Sequence, residues 1–257
     1  MAHAAPTPLL FPEVRYGLSL FAPFSWLSRG LSDLKQSPGS SMLHGLCFTV
    51  LGWLLMGTFR QAVEFATAAA TGFMLIGPFS ALGLYELSRR REKKLPCTLM
   101  DTVVIWRSSA GSIGVYSLLL ILTYLLWGRA SMAVFSLFYS EGMPTTTHFL
   151  HQLGGLENLN FLIAYGTVGA FFAAVVFACS VISIPLMLDR DVDTVTAMLT
   201  SCFAVIRNLP TMLVWSLLIV AMVVIGIGTA YVGLIITMPI LGHASWHAYR
   251  DLINSPK

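Results

Sequence analysis

The chain has 257 residues, of which 56% are hydrophobic and 11% charged, with a formal net charge of +3 and a mean hydropathy of +0.76. A globular protein carries about 25% charged residues, so this chain cannot cover a water-facing surface and is expected in lipid. It has no dense basic patch interleaved with aromatics, which excludes nucleic acid as a partner.

In chain order, the first ten residues, MAHAAPTPLL, lack a basic n-region, and Pro6, Pro8 and Pro12 interrupt any apolar core. They do not read as a secretory signal. Residues 1–25 are expected to form a cytoplasmic tail, 26–253 a membrane domain and 254–257 a short C-terminal tail. A bilayer-crossing helix needs about 20 mostly apolar residues. Six stretches come close: 42–59, 65–84, 110–127, 161–188, 211–227 and 229–246. The fourth is long enough to tilt or to continue into the cytoplasm. Only the Gly226–Gly228 region separates the fifth from the sixth, and a tight hairpin is expected there.

Basic residues set the direction. With the N-terminus inside, the inner segments hold Arg15, Arg29, Lys35, Arg89, Arg90, Arg91, Lys93, Lys94, Arg107, Arg190, Arg207, Arg250 and Lys257, whereas the outer loops hold only Arg60 and Arg129. Both termini are therefore expected in the cytoplasm. The long outer connection contains His148 and His151, three apart; a pair like this is ordinary polar loop content.

A threefold repeat underlies the spans. Before the first, third and fifth stand segments ending in Lys35, Arg107 and Arg207. One, four and eight residues before each base come Leu34, Leu31 and Leu27, then Trp106, Val103 and Leu99, then Ile206, Phe203 and Leu199. Such positions share one helical face, as in a helix lying in the membrane interface. Three residues after each base come Pro38, Ala110 and Pro210. The second, fourth and sixth spans carry Pro78, Pro185 and Pro239, expected to kink the helix by freeing the carbonyls of Met74, Val181 and Ile235. The fold expected is an all-α polytopic membrane protein: six transmembrane helices in three pseudo-repeats, each an interfacial helix plus a helix pair.

Four and eight residues beyond those prolines lie Leu82 and Glu86, Asp189 and Asp193, and His243 and His247. If the three helices converge, Glu86, Asp189, Arg190, Asp193, His243 and His247 form one polar cluster at the cytoplasmic exits. His243 and His247, one turn apart, would suit a metal or haem, or simply anchor a helix end as interfacial histidines do; a cofactor is not expected. Arg89, Arg90, Arg91, Lys93 and Lys94 form a topogenic or lipid-headgroup run. The six histidines lie at ends, tails or loops, so a haem–copper catalytic centre at mid-membrane depth is excluded. Span centres hold no ionisable group, which disfavours proton-coupled transport. No nucleophile elbow, P-loop or dinucleotide glycine pattern occurs in a suitable setting. Cys47, Cys97, Cys179 and Cys202 are scattered and suggest neither a disulfide framework nor a zinc site.

Three stretches, GFMLIGPFSALGLYELSRR (Gly72–Arg90), FACSVISIPLMLDRDVDTVTAMLTS (Phe177–Ser201) and GLIITMPILGHASWHAYRDL (Gly233–Leu252), resemble the prokaryotic membrane family of domain-of-unknown-function 2189. The resemblance implies a multi-pass protein of the bacterial inner membrane. Some relatives carry a label linking them to cytochrome c oxidase subunit I; no redox ligand set in this sequence supports that label, and an accessory or assembly role beside a respiratory oxidase in the lipid bilayer is compatible with it. The expected function is a non-enzymatic accessory, scaffold or assembly factor. A transporter or channel for a small or lipidic solute is one alternative, and a haem- or metal-binding membrane protein the other.

Overall fold

A computed structural model of the chain describes residues 12–61, 66–96, 98–139, 159–190 and 192–253. Within them lie nine helices: α1 (Ala22–Gln36), α2 (Pro38–Gln61), α3 (Ala66–Glu92), α4 (Leu99–Phe138), α5 (Leu159–Ser180), α6 (Ser183–Arg190), α7 (Thr194–Arg207), α8 (Leu209–Gly228) and α9 (Leu234–Leu252). No strand forms among the described residues; the one extended pairing is an isolated antiparallel bridge between Val14 and Ile253. His148 and His151 lie outside the described residues.

Four stretches are long and apolar enough to cross a membrane: Pro38–Thr58, Ala110–Phe138, Leu159–Arg190 and Leu209–Gly228. They match the first, third, fourth and fifth expected spans. The other two expected spans fall in α3 and α9, which are helical but less apolar.

Helix breaks follow the prolines. The residue before a proline is pushed out of the α region, and α1 ends at Ser37, just before Pro38. α7 gives way at Asn208, and Pro210 sits in the first turn of α8, where its missing N–H costs nothing. Ala110 occupies the corresponding place in the second repeat and imposes no such stop. The chain from Leu99 to Phe138 is one unbroken helix. The separate interfacial helix expected before the third span is therefore absent, and the first turns of α4 take its place.

Two further boundaries differ from expectation. The fourth span is two helices: α5 stops at Ser180, residues 181–182 turn, and Pro185 sits in the first turn of α6. Pro185 cannot donate to the Val181 carbonyl, and the ladder resumes at Leu186 N–H to Ile182 O (3.0 Å). The sixth span does not start at Thr229. Residues 229–233 form the turn, with Ala230 and Tyr231 in the left-handed region at φ 52° and 69°. Their carbonyls are taken by α2, Ala230 by Trp53 Nε1 (2.8 Å) and Tyr231 by Thr49 Oγ1 (3.0 Å). Gly226 serves the hairpin by close approach instead, since a Cβ there would meet Leu234 and Thr237. Pro78 and Pro239 lie inside continuous helices.

Two compact units divide the chain, residues 1–117 with 178–257, and residues 118–177. In the first, α2 runs between two antiparallel neighbours. Against α3 it pairs His44 with Gly83 and Phe48 with Phe73, and Ser37, just before its first turn, meets Arg91. Against α9 it pairs Ser41 with His243 and Gly45 with Ile235, and Gly52 meets Tyr231 in the turn before α9. Glycines let these backbones meet, as is usual where helices pack in lipid. A Cβ at Gly242 of α9 would stand 2.6 Å from Leu84 of α3.

The second unit is the α4–α5 pair. Phe161 is 1% exposed and sits among the rings of Phe135, Phe138, Tyr139 and Tyr165, with centroids 5.1–5.7 Å away. These are tilted, edge-on and stacked arrangements, of the kind that adds about 0.5–1.5 kcal/mol per pair beyond area burial.

Candidate functional site: a buried polar network on α9

α9 carries polar contacts to α1, α2, α3 and α6. Its buried positions include His243, Trp246 and Tyr249, and α1, α2 and α3 surround its His243–Asp251 end. Four buried polar groups meet there: Asp33 of α1, Ser41 of α2, Ser88 of α3 and His243 of α9, none more than 6% exposed. A buried polar group without a partner is costly, and each of these has one. Ser88 Oγ donates to Asp33 Oδ2 (2.6 Å) and stands 2.7 Å from His243 Nδ1; His243 Nε2 stands 2.9 Å from Ser41 Oγ.

The carboxylate sets the direction of this chain, because an ionised carboxylate only accepts. The Ser88 proton is committed to Asp33, so Ser88 Oγ accepts from His243 Nδ1–H. In the neutral imidazole Nε2 then accepts from Ser41. On the other side His247 Nε2 donates to Asp33 Oδ2 (3.0 Å). Arg91 closes the network with Nη1 3.0 Å from Asp33 Oδ1 and 2.7 Å from the Asp33 carbonyl, while its Nη2 reaches Ser37 Oγ (2.8 Å). Burial alone would push the Asp33 carboxyl up; hydrogen bonds from His247, Ser88 and Arg91 outweigh it and hold the group down at about 2.

A second layer ties the helix ends together. Asp189 of α6 accepts from the Tyr249 hydroxyl (2.8 Å) and lies 3.3 Å from Arg250, 3.7 Å from Arg89 and 3.9 Å from Lys93. Burial beside this carboxylate raises the Tyr249 hydroxyl well above its ordinary value. Glu92 accepts from Arg250 (2.8 Å) and Trp246 Nε1 (3.1 Å). Glu86 takes Arg89 (2.9 Å) and Arg90 (2.7 Å), and Arg90 also reaches Asp101 (3.0 Å). Asp251 accepts from Arg29 and from Trp26 Nε1 (2.7 Å).

Arg89 near the end of α3 lies within reach of both Glu86 (2.9 Å) and Asp189 of α6 (3.7 Å). His247 reaches Asp33 directly and His243 through Ser88, and Asp33 is a residue that sequence reasoning passed over because it lies beside an apolar face. The usable signal was a lone acid in the short GLSDLKQ segment, opposite a run of arginines far along the chain. Asp193 stands apart as the N-cap of α7, accepting from the Thr196 amide and hydroxyl. Those two bonds hold its carboxyl below the usual range. Arg190 contributes its charge near the Tyr249 hydroxyl. Of the basic run, Arg89, Arg90 and Arg91 are turned onto carboxylates, and Lys94 takes a left-handed turn at φ 53°.

The order Ser41, His243, Ser88, Asp33 has the sequence of a nucleophile, base and orienting acid. Ser41 has no exposed surface and His243 1%, so no substrate atom reaches this hydroxyl. Both ring nitrogens of His243 are engaged by serines, which leaves no lone pair facing a ligand. Among the described residues, no group of three or more His, Cys, Asp or Glu is arranged to hold a metal. What the arrangement does chemically is to bind four helices through charge-assisted hydrogen bonds.

Neither a curated protein nor a solved structure matches this chain. A family does match, over residues 65–189, a stretch that takes in α3 to α6 and stops at the Asp189 carboxylate. Of the three motifs quoted above, the first lies inside it, the second straddles its end and the third lies beyond. Residues 65–189 are thus similar to the family described as a predicted integral membrane protein, domain-of-unknown-function 2189.

Proposed function

We propose that this chain is a non-enzymatic accessory, scaffold or assembly factor of the bacterial inner membrane. It crosses six times and keeps both termini in the cytoplasm. One observation carries the proposal: charge is consumed inside the polar end, while large apolar side chains face outward. On α7 the inward side is Ala197, Ser201 and Ala204, whereas Val195, Leu199, Phe203 and Ile206 point out, Ile206 at 70% exposure. A water-soluble protein would bury these and expose the small polar groups. Such a surface suits lipid or another membrane protein. A closed ionic lock suits a rigid frame, not a moving gate.

Antiparallel pairing supports six crossings: if α2 spans the bilayer, α3 and α9 return beside it. At 27 residues, α3 is about 40 Å long, enough to cross the hydrocarbon core. The Arg15 amide to Leu252 carbonyl bond (2.8 Å) supports placing the two ends on one side. The basic inner segments make that side the cytoplasm. The three pseudo-repeats are supported by the matching breaks at Ser37 and Asn208 and by the meeting of α3, α6 and α9. The metal or haem alternative at His243 and His247 has less behind it, since Ser41 and Ser88 occupy both nitrogens of His243.

Purification of the tagged full chain in mild detergent tests the role. A membrane protein, a respiratory oxidase being the first to seek, should co-purify in fixed stoichiometry. A chain that elutes alone, yet carries solute into vesicles, makes it a transporter instead. Reporter fusions after Tyr249 and within 140–158 should report cytoplasm and periplasm respectively; the reverse pattern ends the topology.

A further inference from the structure

Cys179 and Cys202 are 23 residues apart in the chain, yet their sulfurs stand 3.4 Å apart. Both are free thiols, half-buried near the inner end of α5 and on α7. Their backbones are pinned by the residues just before them: the Ser201 hydroxyl donates to the Ala178 carbonyl (2.6 Å), and the Ile182 amide donates to Ser201 Oγ (3.4 Å). A disulfide bond is about 2.05 Å long, so each sulfur has only about 0.7 Å to travel, a small rotation about its own side chain.

We propose that Cys179 and Cys202 are an oxidation site, a dithiol that closes to an intramolecular disulfide by exchange with a small-molecule disulfide. One cysteine thiolate attacks the reagent's S–S bond, forming a mixed disulfide and expelling one small thiol. The second thiolate attacks the protein sulfur of that mixed disulfide, forming the Cys179–Cys202 bond and expelling the other small thiol. The two cysteines lose two electrons, the reagent's disulfide gains them, and the two thiol protons end on the released thiols. The bond would clamp α5 to α7 and so hold α6, which presents Asp189 to Arg250 and Tyr249.

Cys47, an exposed thiol on α2, is the internal reference. The purified full-length protein in detergent is treated with 2,2′-dithiodipyridine, digested without reduction and mapped by mass spectrometry. The expected result is loss of both free thiols at Cys179 and Cys202 with no pyridyl mass on either, the two peptides joined, and a pyridyl adduct on Cys47. Cys179→Ala should leave Cys202 with a stable adduct, and Cys202→Ala the converse. Separate adducts on both cysteines of the unsubstituted protein, or two untouched thiols while Cys47 is labelled, overturn the proposal.

Discussion

Helices are joined by opposite chemistry in two parts of this molecule. At the polar end of the first unit, α1, α3, α6 and α9 are tied by carboxylates, arginines and histidines; in the second, α4 and α5 are tied by four aromatic rings around Phe161. Lipid is as apolar as a phenyl ring, so ring packing there draws on shape and dispersion and little on escape from water. Ion pairs at a helix exit draw on charge, and they are directional. The ionic end should therefore be the stronger joint, the less forgiving of substitution and the one that responds to pH.

The largest expected effect comes from Asp33→Ala. It strips Ser88, His247 and Arg91 of a shared acceptor and leaves the guanidinium partly buried without its partner, a loss of about 3–5 kcal/mol. Thermal unfolding in detergent should show it as a clear fall in midpoint. An unchanged midpoint would mean that the network contributes nothing to holding α1, α3 and α9 together. Phe161→Ala comes next, at about 2–3 kcal/mol; a water-soluble core would lose about 3–5, but here lipid takes up the truncated surface. If Phe161→Ala proves the more damaging of the two in the same assay, the contrast between the joints is reversed.

Acidification gives the smallest of the three effects. The Asp33 carboxyl sits at about 2 in the folded protein against an ordinary 3.8. A group depressed on folding contributes stability that is fully present above its unfolded value and lost as pH falls through the folded one. About 2 kcal/mol should therefore drain away between roughly pH 4 and pH 2. Asp33→Asn should flatten that part of the pH–stability curve, and Phe161→Ala should leave its slope alone. A slope unaffected by Asp33→Asn would assign the acid sensitivity to another carboxylate.

Much of the architecture was legible from local pattern. Four spans were found where the structure has apolar helices, because length and hydropathy are properties of a single segment. The prolines marked two helix breaks correctly, and the absence of one at Ala110 could have told that α4 would run on through the interface. The start of the sixth span was misplaced because glycines suggested the turn, whereas the turn is made by Ala230 and Tyr231 under the grip of Thr49 and Trp53. That grip comes from α2, about 180 residues earlier, and nothing in the local sequence announces it.

The candidate cluster divides in the same way. Glu86 and Asp189, which the sequence places eight and four residues after Pro78 and Pro185 respectively, both stand within reach of Arg89. Asp33 could not be read from the sequence, since its partners lie 55 to 214 residues away, and a lone acid near an apolar face looks like any solvated side chain. Composition determined by itself that this chain belongs in a bilayer, because with so few charges no folding could give it a wetted surface. Only the tertiary structure decided which carboxylate meets which base and which two cysteines touch, because those choices depend on how close separate helices come, and glycine contacts and proline bends set that distance.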